Sequence, residues 1–286
     1  MVKKILIFTD LDGTLLDYHT YSFKPALSAL KELKKRKIPL IICTSKTRAE
    51  IEIYQKKLEN HHPFISENGG AIFLPEDYLK KNSLGLKKCE CIKRKDGYKV
   101  KELGTPYNIL REKLFEITEK FGQKVKGFGD MSIKEIKKNY GLNSKEATLA
   151  KKREYDEPFY FVTSPDEDTL KRIQEKFYKI GLNMVKGGRL FHLTGGNDKG
   201  KATKILKKMY EKEWETKIKS IGLGDSLNDL PMLSEVDFPV LVKLHNGRYE
   251  EKIIKKLNPF LAKGIGAKGW NEAIIKILER IDEDEK

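Results

Sequence analysis

The chain begins with short apolar runs that alternate with amphipathic segments. The runs KILIFT (4–9), IPLIIC (38–43) and PFIS (63–66) are continuous and apolar, which is typical of strands covered on both faces. The segments between them have helical spacing, and the first one starts at Pro25. Its apolar face is formed by Ala26, Leu27, Ala29, Leu30 and Leu33. Strand–helix–strand repetition predicts a parallel sheet with crossover helices.

The pattern changes between about residues 84 and 188. Predicted strands there are more polar and come in pairs, such as LKKCECI and YKVKEL around the turn KRKDG. Strand–helix alternation resumes after about Gly195 and runs through IKSIGL and FPVLV to a last helix. The prediction is an α/β fold with a doubly wound, parallel-sheet (Rossmann-like) core at 1–83 and 189–286. An α+β domain is inserted into that core at 84–188.

Composition and charge narrow the choice of partner. The chain has 286 residues, and the 39% that are hydrophobic suffice for a packed core. Its 57 lysines and arginines exceed its 42 acidic residues, giving a formal net charge of +15, and such an excess raises nucleic acid as a partner. The lysines are spread among glutamates along predicted helices and form no basic arm. We therefore expect no nucleic-acid partner and an anionic small-molecule substrate.

The cysteines and the apolar runs indicate in which cellular compartment the protein is expected. Cys43, Cys89 and Cys91 are too few and too scattered for a disulfide framework or a four-ligand zinc site. Cys43 is predicted to lie in the core, and the C-x-C pair leaves a weak metal or redox role open. No apolar run approaches the roughly 20 residues of a membrane span. The opening MVKK leads directly into a strand without a signal peptide, so we expect a cytoplasmic protein without a membrane partner.

Two carboxylates follow the first strand. Asp10 and Asp12 stand two residues apart and are followed by Gly13. Residues i and i+2 at a strand end project to the same side, so both carboxylates share one site. They repel each other unless a cation or a shared proton separates them, and Mg²⁺ prefers such oxygen ligands. The alternative is an ordinary turn, because Asp-Gly is a common turn pair.

Three further polar segments lie at predicted strand ends or helix starts. CTSKTR places Thr44 and Ser45 where hydroxyl and amide groups suit a phosphate. GDSLNDLPML holds Asp225 and Asp229, and GGNDKGKA places Lys199 at a helix start, where its ammonium can neutralise a phosphoryl group. Each segment has an ordinary alternative as a helix cap or a surface lysine. Together, at the carboxyl ends of parallel strands, they indicate a site for phosphoryl chemistry.

These motifs resemble those of the haloacid dehalogenase superfamily of aspartate-nucleophile phosphatases. The inserted domain resembles the α/β cap of its Cof-like branch, and the resemblance covers the whole chain. Five segments are similar, more narrowly, to mannosyl-3-phosphoglycerate phosphatases, which finish the synthesis of the compatible solute mannosylglycerate: CTSKTRAEI, PFISENGGAIFLP, GFGDMS, REYDEPF and GGRLFHLTGGNDKGKA. The branch more often reads T-G-R where this chain has Thr44-Ser45-Lys46. That departure favours the narrower family and leaves open whether Thr44, which we favour, or Ser45 is the main phosphate contact.

The resemblance implies a two-step mechanism. Asp10 would attack phosphorus and become an aspartyl-phosphate. Asp12 would protonate the leaving oxygen and then activate water. Thr44 and Lys199 would hold phosphoryl oxygens. The implied magnesium ligands are Asp10, Asp12 through its backbone carbonyl, Asp225 and, close by, Asp229.

The expected substrate is a phosphorylated sugar-glycerate, selected by the cap and by the loops that face it. The candidate substrate-binding residues are Ser45, Lys46, Arg48, Glu67, Asn68, Arg189 and His192. Lys46 and Arg48 could bind a carboxylate or belong to a solvated helix start. Glu67 and Asn68 could bind hydroxyls or form a plain turn, and His192 could face the cleft or be a satisfied strand residue. Residues 127–132 could form a loop over the substrate.

Other activities remain open on the same residues. The nearest alternatives are phosphatases acting on glucosyl-3-phosphoglycerate or sucrose phosphate, followed by a phosphomannomutase. A non-enzymatic sensor of phosphosugars is a further alternative. Retention of the full set of acidic residues and of Lys199 argues against that last hypothesis.

Overall fold

The computed structural model describes residues 4–78, 92–186 and 190–284. Within them the strands are β1 (Lys4–Thr9), β2 (Leu40–Cys43), β3 (Phe64–Ser66), β4 (Ala71–Pro75), β5 (Ile92–Lys95), β6 (Tyr98–Glu102), β7 (Val125–Gly127), β8 (Asp156–Phe161), β9 (Asn183–Lys186), β10 (Phe191–Thr194), β11 (Ile218–Gly224), β12 (Phe238–Lys243) and β13 (Phe260–Ile265). The α-helices are α1 (Leu27–Lys35), α2 (Arg48–Leu58), α3 (Tyr107–Lys120), α4 (Ile133–Tyr140), α5 (Ser144–Ala150), α6 (Glu167–Lys179), α7 (Lys199–Trp214), α8 (Leu230–Ser234), α9 (Glu251–Leu257) and α10 (Gly266–Glu283). Among these helices none is long and apolar enough to cross a membrane.

The larger sheet contains the three apolar runs from which the chain begins. Its strand order is β13-β12-β11-β1-β2-β3-β4-β6-β5. From β13 to β3 neighbouring strands are parallel, and β4, β6 and β5 continue the sheet in antiparallel pairing. β1 lies inside the parallel part, where Ile7 is aligned with Leu40 on β2 and Ile221 on β11. Because parallel strands end at one edge, this arrangement brings their carboxyl ends together.

Helices cover both faces of the larger sheet. Ile7 on β1 packs in a cluster with residues of α1, α2 and α10, including Leu30, Ile51 and Trp270. Leu6 and Phe8 point to the other face and join residues of α7, α8 and α9. Alternate residues of one strand therefore meet two helical layers, which explains why KILIFT is apolar without interruption from Ile5 to Phe8. The predicted α/β, doubly wound fold is confirmed.

The cap is built around a four-stranded antiparallel sheet of order β7-β8-β10-β9. One cluster joins this sheet to α3 and α6 through Leu110, Leu114, Phe159, Ile173 and Phe177.

Two strand pairings cross the predicted division at residues 84 and 188. The β5–β6 hairpin pairs with β4, and Val100 on β6 is buried in the core of the larger sheet. β10 pairs with β8 and β9 and so belongs to the smaller sheet. Strand pairing thus extends the larger sheet to Glu102 and the smaller sheet to Thr194, while the domain limits themselves stay a prediction.

Two short helices follow residues 127–132 and were not predicted. α4 begins after Ser132, whose hydroxyl accepts from the backbone N–H of Glu135 at 3.2 Å. α5 begins after Asn143, whose side chain accepts from the N–H of Glu146 at 3.0 Å. Both are capping boxes, which stabilise short helices at their first turn. Phe128 and the two helices form a separate small apolar cluster.

The cysteine predictions can be checked in part. Cys43 is fully buried and unpaired at the end of β2, as the apolar run predicted. Cys89 and Cys91 lie outside the described residues, so the C-x-C prediction stays a prediction.

Candidate active site

The site lies where β1 and β11 end side by side. Thr9 is aligned with Leu223, and the N–H of Asp10 donates to the Leu223 carbonyl at 3.0 Å, so Asp10 and Asp225 leave the sheet together. Gly13 turns the chain past Asp225 with a φ of +75°. A Cβ at Gly13 would lie 2.5 Å from Asp225 Oδ2, so both the backbone conformation and the close approach require glycine.

Lys199 is fully buried between two carboxylates. Its Nζ lies 2.7 Å from Asp10 Oδ1 and 2.6 Å from Asp229 Oδ1. The second oxygen of Asp229 accepts the N–H groups of Asp225 at 3.0 Å and Ser226 at 3.1 Å. Lys199 is the first residue of α7, so the helix start carries the ammonium into the space between β1 and the loop after β11.

Burial governs the protonation of these groups. It raises the pKa of Asp10 to about 7, although the Lys199 ammonium pulls that pKa down. Burial and the nearby carboxylates of Asp229 and Asp10 also raise the pKa of Asp225 well above its usual range. Burial disfavours the charged form of Lys199, but the attraction of Asp10 and Asp229 outweighs it and raises the pKa of this lysine. The three carboxyl groups would hold more negative charge than the lysine neutralises if all were ionised, and the raised pKa values of Asp10 and Asp225 follow from burial together with that crowding.

The surplus negative charge and the donor atoms fit a metal ion. Asp10, Asp225 and Asp229 are all buried and offer carboxylate oxygens within 4.8 Å of one another. Three carboxylates against one ammonium leave a net negative charge that a divalent cation would neutralise. Oxygen donors of this kind suit a hard cation. The side-chain carboxylate of Asp12 is not part of this group.

Asp12 pairs with a different lysine. Its Oδ2 lies 2.8 Å from Lys46 Nζ, and the Lys46 side chain is only 10% exposed. Glu50 Oε1 lies 3.7 Å from the same ammonium. The other oxygen of Asp12, Oδ1, is buried and has no hydrogen-bond partner in the part of the chain that the structure describes. Lys46 was expected to bind a substrate carboxylate, and in this arrangement its charge is engaged by Asp12.

Thr44 and Ser45 lie at the end of β2. Thr44 is buried, its N–H donates to the Ile65 carbonyl at 3.2 Å, and its carbonyl accepts from Asn68 N–H at 3.0 Å. These bonds hold the TSK segment beside the loop after β3. Ser45 is half-buried, and its carbonyl accepts from Arg153 Nη1 at 2.8 Å. Thr44 is thus the more enclosed of the two hydroxyl residues.

Arg48, another predicted substrate-binding residue, lies among three carboxylates. Its guanidinium is 2.9 Å from Glu52, 2.8 Å from Asp96 and 3.3 Å from Glu154. These ion pairs link α2 to the β5–β6 turn and to the segment before β8. Its charge is therefore balanced within the protein.

Glu67 is fully buried and joins the core to the cap. Its carboxylate accepts the backbone N–H groups of Glu154 at 2.9 Å and Tyr155 at 2.8 Å. Burial raises its pKa to about 8, although Arg153 and these amides favour the charged form. Its backbone has a φ of +46°, which a non-glycine residue rarely adopts. In this structure Glu67 holds the segment before β8 against the loop after β3.

Asn68 and His192 meet at one residue of the cap. Asn68 Nδ2 lies 3.5 Å from Asp156 Oδ2, and Asn68 Oδ1 accepts from Asn228 at 3.1 Å. His192 on β10 places Nδ1 2.9 Å from Asp156 Oδ2. Asn68 thus connects the loop that carries Asp225 and Asp229 to Asp156, which His192 also contacts. Arg189, the remaining candidate, lies outside the described residues.

Sequence reasoning assigned no role to Arg153 or Asp156. Arg153 binds the Ser45 carbonyl and lies 3.7 Å from Asp156, which is fully buried. The segment REYDEPF contributes to the family resemblance and predicts no site residue by itself. Its signal was a pair of adjacent acidic residues, Asp156 and Glu157, at the start of β8, which is unusual for a buried strand.

Comparison with known proteins decides the family. A model of the haloacid dehalogenase-like hydrolases matches residues 7–256. The chain belongs to this family. The predicted resemblance to the superfamily is confirmed.

Several relatives of this hydrolase have been named. A glucosyl-3-phosphoglycerate/mannosyl-3-phosphoglycerate phosphatase of Methanococcoides burtonii is 49% identical over 96% of this chain and 97% of the relative. A protein of the same name from Persephonella marina is 44% identical over 97% of this chain and 98% of its own. The mannosyl-3-phosphoglycerate phosphatase of Pyrococcus furiosus is 36% identical over 83% and 90%, respectively.

Solved structures share the fold of this hydrolase. A phosphatase of the superfamily from Bacteroides thetaiotaomicron has a TM-score of 0.65 at 18% identity, covering 99% of this chain and 96% of that one. The sucrose-phosphatase of Synechocystis, solved with sucrose and phosphate, has a TM-score of 0.60 at 14% identity, covering 98% and 99%. At such identities the likeness concerns the fold alone.

Proposed function

We propose that this hydrolase is a magnesium-dependent phosphatase that converts mannosyl-3-phosphoglycerate, and its glucosyl counterpart, to the hexosylglycerate and phosphate. The observation that supports this most is the 49% identical relative, which bears both substrates in its name and matches nearly the whole chain. Acceptance of both sugars extends the sequence-based hypothesis, which preferred the mannosyl compound. A cytoplasmic location, as predicted from the sequence, is part of the proposal.

Asp10 is the proposed nucleophile. Its Oδ1 is held by Lys199 at 2.7 Å, which fixes the carboxylate and leaves Oδ2 for attack on phosphorus. The attack forms an aspartyl-phosphate and divides a difficult displacement into two easier ones. Lys199 and the Thr44 hydroxyl would hold the phosphoryl oxygens, which supplies orientation and charge stabilisation.

Asp12 is the proposed acid and base. In the first step its proton moves to the leaving oxygen as the bond from phosphorus to that oxygen breaks. In the second step it takes a proton from the water that attacks the aspartyl-phosphate. The unpartnered Oδ1 is the atom at which we place this proton, because Oδ2 is bound to Lys46.

The magnesium ion would be held by Asp10, Asp225 and Asp229, with the backbone carbonyl of Asp12 as a further ligand. When bound, it would neutralise charge on the phosphoryl oxygens. The convergence of three buried carboxylates supports this assignment.

The leaving group would be selected on the cap side of the site. Asn68 and His192 meet at Asp156 there, and Arg153 adds a buried guanidinium beside Ser45. We propose that these residues, with Arg189, bind the sugar and glycerate. Of the earlier candidates, Lys46 is bound to Asp12, Arg48 is balanced by three carboxylates, and Glu67 holds backbone amides of the segment before β8.

Substrate discrimination tests the proposed function. We expect kcat/KM for mannosyl-3-phosphoglycerate to exceed that for mannose-6-phosphate or 3-phosphoglycerate by at least ~100-fold, or ~2.7 kcal/mol of transition-state binding. The reason is that neither simpler compound fills both the sugar and the carboxylate contacts, which leaves buried polar groups unpaired. Phosphate release at several substrate concentrations measures the ratios, with glucosyl-3-phosphoglycerate in parallel.

The pattern of activities separates the alternatives. Equal efficiency on simple hexose phosphates would mean a broad-range sugar phosphatase, and a strong preference for sucrose phosphate would reassign the leaving group. A mutase would instead interconvert hexose phosphates when supplied with a sugar bisphosphate. Absence of phosphate release from any compound, including 4-nitrophenyl phosphate with Mg²⁺, would favour a sensor.

Metal removal is the second test. Treatment with EDTA should abolish activity while the protein stays folded, because the buried carboxylates bind the ion but do not build the core. Mg²⁺ should restore activity, and Mn²⁺ or Co²⁺ could substitute for it. Asp225→Asn should raise the Mg²⁺ concentration for half-maximal activity. Full turnover after exhaustive chelation would contradict the metal assignment.

A further inference from the structure

We propose that Lys46 is a positioning residue for Asp12. It binds one carboxylate oxygen and thereby leaves the other in place for proton transfer with the leaving group and with water. The inference rests on the proposed role of Asp12 and assigns Lys46 a task other than binding substrate. Its basis is the geometry of four groups: Asp12, Lys46, Glu50 and the aromatic rings beside them.

The Lys46 side chain is confined on several sides. Its Nζ lies 2.8 Å from Asp12 Oδ2 and 3.7 Å from Glu50 Oε1. The ring centroids of Tyr21 and Tyr54 are 5.3 Å and 5.9 Å from the same atom, which is within cation–π range. A lysine at the surface samples many rotamers, whereas this one is enclosed by opposite charges and ring faces.

The backbone of Lys46 is fixed as well. Its carbonyl accepts the N–H of Glu67 at 3.1 Å, and Thr47 caps α2 in the next position. Glu67 is in turn bound to the segment before β8. The ammonium therefore has a defined position relative to both the core and the cap.

The two oxygens of Asp12 have different surroundings. Oδ2 is bound by Lys46, while Oδ1 is buried without a partner among the described residues. A buried acceptor that lacks a hydrogen bond is unfavourable unless another group, such as a substrate or water, supplies one. Fixing Oδ2 prevents rotation of the carboxylate and so keeps Oδ1 available to the reacting oxygens.

Lys46 and Lys199, which are both buried, thus serve different carboxylates. Lys199 contacts Asp10 and Asp229, and Lys46 contacts Asp12 and Glu50. A lysine that bound the substrate carboxylate would share its three N–H donors between Asp12 and the substrate, and its loss would act mainly on KM. A positioning lysine keeps its contact throughout the reaction, and that difference can be measured.

Leaving-group dependence gives the decisive experiment. Lys46→Met keeps the length of the side chain and removes its charge. On mannosyl-3-phosphoglycerate, whose alkoxide needs a proton, we expect kcat to fall about 100-fold with KM within about threefold of wild type. With 4-nitrophenyl phosphate, whose leaving group needs no proton, aspartyl-phosphate formation should change less than about threefold while its hydrolysis slows, so that a burst of nitrophenol appears.

Two further variants make the test specific. Lys46→Arg keeps the cation and should recover kcat to within about tenfold of wild type if charge and contact are what matter. Lys207→Met is a matched control. Lys207 is a partly buried lysine on α7, and its Nζ lies 3.3 Å from Asp237 Oδ2. It should leave both substrates and both steps unchanged. Should Lys46→Met not fold, Lys46→Gln would take its place in the same comparison.

The outcomes are distinct. A higher KM for the sugar-glycerate with unchanged kcat would mean that Lys46 binds substrate, and the positioning role would be wrong. Equal losses on both substrates and in both steps would also contradict it. If wild type hydrolyses only the aryl phosphate, the proposed substrate fails. In that case the burst from the aryl phosphate, compared between wild type and Lys46→Met, still decides the role of Lys46.

Discussion

Asp10→Asn should abolish turnover and leave the fold intact. The amide has the shape of the carboxylate but cannot attack phosphorus, so we expect kcat to fall at least ~1000-fold, equivalent to ~4 kcal/mol of barrier. Stability should not drop, because burial disfavours the charged form of Asp10 and two further carboxylates lie nearby. Phosphate release measures the first effect, and the melting temperature measures the second.

Asp12→Asn is the informative comparison for this prediction. It should still form phosphoenzyme from 4-nitrophenyl phosphate, because a good leaving group departs without a proton, but it should hydrolyse the intermediate slowly. Asp10→Asn should form no phosphoenzyme from any substrate. If Asp10→Asn kept more than about a tenth of wild-type turnover, the lost barrier would be only ~1.4 kcal/mol, too little for a covalent nucleophile.

Much of the core could be predicted because its signals are local and periodic. The runs at β1 and β2 are apolar at successive positions from Ile5 to Phe8 and from Leu40 to Cys43, as a strand with helices on both faces requires. Parallel strands end at one edge, so Asp10 and Asp225 could be placed together although 214 residues separate them in the sequence.

The cap was harder to predict because its pairings are non-local and its strands are partly polar. The hairpin β5–β6 was expected in the inserted domain, yet Val100 packs against the core of the larger sheet. The sequence pattern of a two-stranded hairpin does not indicate which sheet the hairpin will join. The helices α4 and α5 are too short for a hydrophobic repeat to predict them. Their available sequence signal was the capping boxes at Ser132 and Asn143.

Side-chain partners were predicted least well. The sequence presents Lys46, Arg48 and Glu67 as candidate substrate contacts, but it does not state which opposite charge or amide each will meet after folding. The structure pairs Lys46 with Asp12, Arg48 with three carboxylates, and Glu67 with backbone amides. Helical periodicity predicts which face of a helix a residue occupies, but it does not predict which side chain or backbone group that residue will contact in the folded protein.

Lys199→Met should lower activity, and it should lower stability by an amount that depends on whether metal is bound. Lys199 is fully buried between Asp10 and Asp229, so its removal leaves buried carboxylates without their cation. Breaking such a pair from one side costs ~3–5 kcal/mol of unfolding free energy. We expect that loss at neutral pH in EDTA and a smaller loss with Mg²⁺ bound. With Mg²⁺ the turnover should be at least ~1000-fold below wild type.

Urea denaturation of wild type and variant, with EDTA or with Mg²⁺, measures the stability term. The deficit should shrink as the pH falls, because the raised pKa of Asp10 lets this carboxylate protonate near pH 7 and lose the charge that Lys199 balanced. Lys207→Met, on the same helix, removes a more exposed ion pair with Asp237 and should cost less than ~1 kcal/mol. If Lys199→Met were as stable as wild type in EDTA at neutral pH, the carboxylates around it would already be neutral. The surplus negative charge that we assign to the metal would then be absent.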